Sequence, residues 1–164
     1  MRPVREPVGP GQESVWDYPR PAVAERSGRH VRIVHRGEKV ADTRAAIRTL
    51  ETSHPPSWYL PPDDVARELL RSSTRRSFCE WKGEAVYWHL AVGETLVHDV
   101  AWSYPDPTRG FAPLRDHLAF YAAPLDRCTV DGDIVLPQPG GFYGGWITPD
   151  VVGPFKGVPG SMGW

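Results

Sequence analysis

The sequence predicts a mainly β, single-domain protein of small antiparallel sheets, with one or two short helices. Three observations carry that prediction. The 164 residues include 18 prolines and 16 glycines, which disfavour helix interiors and central strands and so favour short elements joined by many turns. Several stretches alternate apolar and polar residues between turn signals, the pattern of half-buried strands. Only one stretch combines a helix start, an apolar stripe and a basic end.

Residues 1–28 read as an N-terminal arm rich in Pro, Gly and charge. Its aromatic cluster, Glu13-Ser-Val-Trp-Asp-Tyr-Pro19, can pin the arm to the domain; without that pinning the composition is that of a disordered tail. The β domain spans 29–136. His30-Val-Arg-Ile-Val-His-Arg36 alternates, Gly37-Glu38 turns, and Lys39-Val-Ala-Asp42 returns. Ala45-Ala-Ile-Arg-Thr-Leu-Glu51 reads as a strand with Ile47, Thr49 and Glu51 on one face, because Thr52-Ser-His-Pro-Pro56 ends it abruptly. Trp58-Tyr-Leu60 resumes the extended chain, and Pro61-Pro62 stops it.

Pro62–Arg71 is the best helix candidate. It has an Asp N-cap, acids in the first turn, Arg71 in the last, and a stripe of Val65, Leu69 and Leu70. A hairpin follows: Arg76–Cys79 runs up, Trp81-Lys-Gly83 turns, and Glu84–Ala91 runs down, with Gly83 suited to positive φ. Thr95–Tyr104 is a strand, Pro113–Leu118 a short helix with proline in its first turn, and Leu118–Ala122 a strand. Cys128–Val135 is a hairpin with an Asp-Gly turn. Residues 137–164 form an irregular Gly/Pro-rich extension. Its spaced aromatics are expected to lie against the domain or a second subunit, which admits a homodimer.

Charge and composition exclude several functions. The formal net charge is −1, with both signs interspersed, so no basic field exists to hold nucleic acid. No apolar run approaches the roughly 18 residues of a membrane span, and the N-terminus has no apolar signal region. The expectation is a cytoplasmic protein with no membrane partner. There Cys79 and Cys128 stay reduced thiols. No phosphate loop, Rossmann fingerprint, GxSxG or HExxH is present, so no cofactor is expected.

The chemistry-bearing residues fall in three stretches. In Ser77-Phe-Cys-Glu-Trp-Lys-Gly83 an ammonium at Lys82 across a tight turn from Cys79 would favour the thiolate. The bland alternative is a buried, inert cysteine. Cys-Glu-Trp-Lys-Gly also has the shape of a zinc knuckle whose second cysteine has become Lys82, and the histidines show no ligand spacing, so no metal site is expected. Glu51, at the end of a strand, can serve as a general base or pair with Lys82; otherwise it is a solvated strand end. Asp64 is first a helix-end residue and second a site residue. Trp58, Tyr59, Trp81, Tyr87, Trp88, Trp102 and Tyr104 cluster around these stretches, and same-parity members on adjacent strands would line one face, as an aromatic wall around a planar or cationic ligand or as an aromatic core.

The run Leu50-Glu-Thr, Trp58-Tyr-Leu-Pro61, Asp64, Cys79-Glu-Trp-Lys-Gly83, Tyr87, Ala101-Trp-Ser-Tyr-Pro105 and Ala119-Phe-Tyr121 resembles the domain-of-unknown-function 427 family in order and spacing. The terminal extensions resemble those of its longer, mostly bacterial members. The resemblance implies a β-tent-like domain, a zinc-knuckle remnant without zinc, and no settled activity. The family's nucleotidyltransferase name finds no paired carboxylates or glycine-rich phosphate site here. Its matching positions are Glu51, Tyr59, Asp64, Cys79, Lys82, Gly83, Tyr87, Trp102 and Tyr104; Glu80 replaces a proline common in relatives and alters the local turn. Three functions are expected in turn: a pocket walled by Tyr59, Tyr87, Trp102 and Tyr104 with Glu51 and Lys82 as polar anchors, a cysteine enzyme using Cys79, Lys82 and Glu51, or an interaction module.

Overall fold

The computed structural model describes residues 2–164. The fold is mainly β. One sheet runs Ala119–Phe120, Thr95–Ser103, Gly83–Val92, Leu70–Cys79, antiparallel throughout. A second runs Asp133–Ile134, Arg127–Val130, Val31–His35, Glu38–Thr43. A third joins Val23–Ser27, Ala46–Leu50 and Ser57–Tyr59. The strand Val23–Ser27 lies in the stretch read as arm, and it pairs along its whole length with Ala46–Leu50.

The long hairpin follows its sequence signals. Cys79 pairs with Gly83, and Gly83 has φ of 107°, so the glycine permits the left-handed bend. Asp131-Gly132 turns the second hairpin, both residues at positive φ.

The predicted Pro62–Arg71 helix does not form. The stretch makes two 3-10 turns, Pro62–Asp64 and Arg67–Leu69, and Leu70 already opens a strand. Tertiary pairing overrides the local signals: the Ala66 N–H donates to Val40 O at 2.8 Å, Val65 bridges to Ala41, and Val65 is buried. The Asp64 carboxylate caps nothing and instead accepts from Thr43 Oγ1 at 2.7 Å. The second predicted helix is a kinked 3-10 segment, Arg109–Leu114, lying earlier than expected. Among the described residues no helix is long and apolar enough to cross a membrane.

Three apolar clusters fill the interior. The largest is mostly aliphatic and includes Val31, Ile33, Val40, Leu60, Leu90, Val100 and Val130. The second is aromatic and holds Tyr59, Tyr87, Trp102, Tyr104 and Phe111. The third joins the two ends of the chain through Val15, Trp16, Tyr18, Leu50 and Val151, with Phe155 and Trp164 against them. Glu13–Ser14 pairs in parallel with Val151–Val152, so the arm is held by the extension. Within the extension Leu136–Pro137 pairs with Trp146–Ile147, and the fully buried Trp146 donates its indole N–H to Phe120 O at 2.8 Å.

Candidate functional site

The aromatic cluster borders a cavity of about 670 Å³. Of the eight candidate site residues, seven line it: Glu51, Tyr59, Cys79, Lys82, Tyr87, Trp102 and Tyr104. Asp64 does not; it sits on an exposed turn bonded to Thr43.

Strand pairing places the walls. Tyr87 pairs with Trp102 across adjacent strands, and Tyr104 follows two residues on, so all three face one way. Tyr59 comes from the third sheet, and the Trp102 indole N–H donates to its hydroxyl at 3.2 Å. The two rings meet edge-on at 6.3 Å. The Gly83–Val92 strand alternates through its length: Ala85 and Tyr87 face the aromatic cluster, while Trp88, Leu90 and Val92 on its other face meet the aliphatic core. Burial raises the pKa of Tyr59 and of Tyr104 above the ordinary tyrosine value, so both rings present neutral hydroxyls.

The hairpin turn delivers Lys82. Its backbone is fastened from below: Thr108 N donates to Lys82 O at 3.0 Å, and Thr108 Oγ1 donates to Trp81 O at 2.5 Å. The side chain folds back so that Nζ lies 3.7 Å from Cys79 Sγ, within hydrogen-bond reach for sulfur. The turn has removed the strand parity that would have set the two residues on opposite faces. Lys82 is only 9% exposed, and among the described residues no carboxylate oxygen comes within 4.0 Å of Nζ. The ammonium faces the rings of Phe111 at 5.7 Å and Tyr104 at 6.0 Å. Burial works against its charge, but Tyr59, Cys79 and Glu51 outweigh that and hold its pKa above the ordinary lysine value.

Glu51 and Lys82 share the cavity without forming an ion pair. The Glu51 Oε2 atom lies 3.5 Å from His54 Nε2 and 3.9 Å from Arg20 Nη2. His54 is largely buried, and its Nδ1 meets the side-chain amide of Gln138 at 3.0 Å. Burial first, then Lys156, Arg20 and Lys82, lower the His54 pKa to about 4. Its ring is neutral at pH 7.

Sequence reasoning missed His54, Gln138, Tyr143 and Lys156, all of which line the cavity. His54 stands next to the strand-ending prolines, and that placement was its only signal. The other three belong to the extension. Gln138 is 4% exposed and bonds in three directions: Nε2 donates to His54 Nδ1 and to Lys156 O at 2.9 Å, and Oε1 accepts from Gly145 N at 3.1 Å. Gly144 packs so closely on Trp102 that a Cβ there would overlap the indole ring. Phe78 and Phe142 stand exposed beside the opening. Cys128 is buried in the aliphatic core, where burial pushes its thiol up to about 12; it plays no part in the site. Among the described residues no cluster of three or more His, Cys, Asp or Glu side chains could hold a metal ion.

A family model described as a domain of unknown function (DUF427) matches residues 23–131. No curated protein matches the chain. The matched region contains every cavity residue predicted from the sequence, and it ends before Gln138, Tyr143 and Lys156.

Proposed function

We propose, for a chain that belongs to the DUF427 family, that the cavity binds a small planar ligand carrying an anionic group. The ring lies against Tyr59, Tyr87, Trp102 and Tyr104, and the anion meets Lys82. One observation carries this reading: a buried ammonium opens onto the cavity with no carboxylate beside it. The ammonium keeps its charge against burial, and a ligand anion would give it a direct ion-pair partner. The surrounding charges favour the same sign of ligand. Lys82, Lys156 and Arg20 lie close enough to depress the His54 pKa, which disfavours the cationic ligand that aromatic walls alone would also suit.

The test is NMR titration of the amides around the cavity with a matched pair of planar probes, nicotinate and benzamidinium. Nicotinate is expected to shift the resonances of Lys82 and Tyr104 saturably, and benzamidinium to leave them unmoved. Saturable binding of benzamidinium with none of nicotinate would overturn the assignment.

A second reading rests on the 3.7 Å contact between Lys82 Nζ and Cys79 Sγ. An ammonium this close to a half-buried sulfur makes Cys79 the candidate nucleophile of the cavity. Alkylation by iodoacetamide near pH 7 should then run at least about tenfold faster than for an ordinary free cysteine and slow in Lys82→Met. Equal rates in the two proteins would remove Cys79 from the chemistry.

A further inference from the structure

Outside the matched family region, Gln138 decides what one corner of the cavity can recognise. Its amide orientation is fixed, because Gly145 N–H donates to Oε1. The amide NH₂ therefore faces His54 Nδ1 and Lys156 O and donates to both. A ring nitrogen that accepts a hydrogen bond carries no proton, so the neutral His54 ring bears its hydrogen on Nε2. That N–H points into the same corner as Glu51, with Nε2 3.5 Å from Oε2. The contact is too loose to be a hydrogen bond, and neither Glu51 oxygen accepts one from a described residue. The corner thus offers an open donor beside an open acceptor.

Resting on the proposed binding of a planar acid, we infer that Glu51 and His54 together read the donor–acceptor edge of a lactam or cyclic amide. The ligand N–H donates to the Glu51 carboxylate, and its C=O accepts from His54 Nε2–H. Gln138 is the positioning residue that sets this polarity. The other charged groups facing His54, namely Lys156, Arg20 and Lys82, all oppose a second proton on the ring, so the polarity holds across neutral pH. The ligand class is a planar heterocycle with a lactam edge and an acidic substituent.

The test has two arms. In the free protein at pH 7, ¹⁵N spectra of the histidine rings should show His54 protonated on Nε2 alone; a proton on Nδ1 would overturn the inference. In the binding arm, 6-hydroxynicotinate, which exists in water as the pyridone lactam, is compared with nicotinate. The lactam should bind at least about tenfold more tightly. Gln138→Met removes the amide that holds Nδ1 as an acceptor, frees the ring to carry its proton on either nitrogen, and should bring the affinity ratio of the two probes toward parity. Glu51→Leu, at a partly exposed side chain, should erase the preference by a separate route if Gln138→Met does not fold. If both acids bind the native protein equally, the edge assignment falls and the anion site stands. If neither binds, both fall.

Discussion

Trp58 and Tyr59 are neighbours in one strand, yet they enter different interiors. Trp58 joins a cluster of Val, Ile and Leu, while Tyr59 joins a cluster of rings bordering a cavity. The buried members of the aliphatic cluster include no charged side chain. The aromatic cluster carries phenol and indole groups on its rim and admits an ammonium, a thiol and a carboxylate at its edge. The difference lies in what each set of side chains can tolerate beside it. Close-packed aliphatic groups leave no partner for a buried charge. Rings with polar edges provide both a surface for a planar ligand and hydrogen-bond partners for its substituents. The first interior accounts for stability and the second for the candidate function.

The sharpest way to break this contrast is to cut into the aliphatic interior. Leu60 is fully buried there, and Leu60→Ala should destabilise the fold by about 2–5 kcal/mol in urea unfolding. Probe binding by the fraction that remains folded should be unchanged. A small loss of stability with a large loss of binding would show that the two interiors are not separable.

Acid should act through the open interior next. The folded-state pKa of His54, about 4, lies below the roughly 6.5 of an exposed histidine. The unfolded chain therefore binds this proton first. The stability His54 contributes is fully present above pH ~6.5 and is lost as the pH falls from there through about 4, by at most about 3 kcal/mol. Native protein and His54→Gln, unfolded at several pH values, should differ in slope across that window. Parallel profiles would mean that the ring is not held neutral.

A smaller effect tests the join between domain and extension. Gly144→Ala places a methyl group into the Trp102 ring, and should cost about 1–3 kcal/mol while shifting the Tyr143 and Gln138 resonances. An unperturbed extension would show that the wall is not fitted to the domain.

Much of this contrast was legible in the sequence. Alternation gave the strands, Asp131-Gly132 and Gly83 gave two hairpin turns, and spacing put Trp102 and Tyr104 on one face of their strand, but only the cross-strand register adds Tyr87 to them. The Pro62–Arg71 helix was misread because its caps and stripe are local signals. The pairing of Ala66 with Val40 depends on strands brought together by the whole fold. Glu51 and Lys82 line one cavity, but nothing local indicated that Glu51 would turn to His54. Gln138 lies 84 positions from His54 and in a stretch dominated by glycine and proline. No periodicity or motif links them, and only the folded backbone does.

The most direct measurement is the affinity of nicotinate for the native protein and for Lys82→Met, alongside their melting temperatures. Methionine keeps the unbranched apolar stem of the side chain while removing its charged end. Because Tyr59, Cys79 and Glu51 favour the ammonium despite its burial, the variant should melt slightly below the native temperature. It should bind nicotinate at least about tenfold more weakly. Equal affinity in the two proteins would contradict the account, since Lys82 would then be a buried structural cation and the cavity would have no anion site.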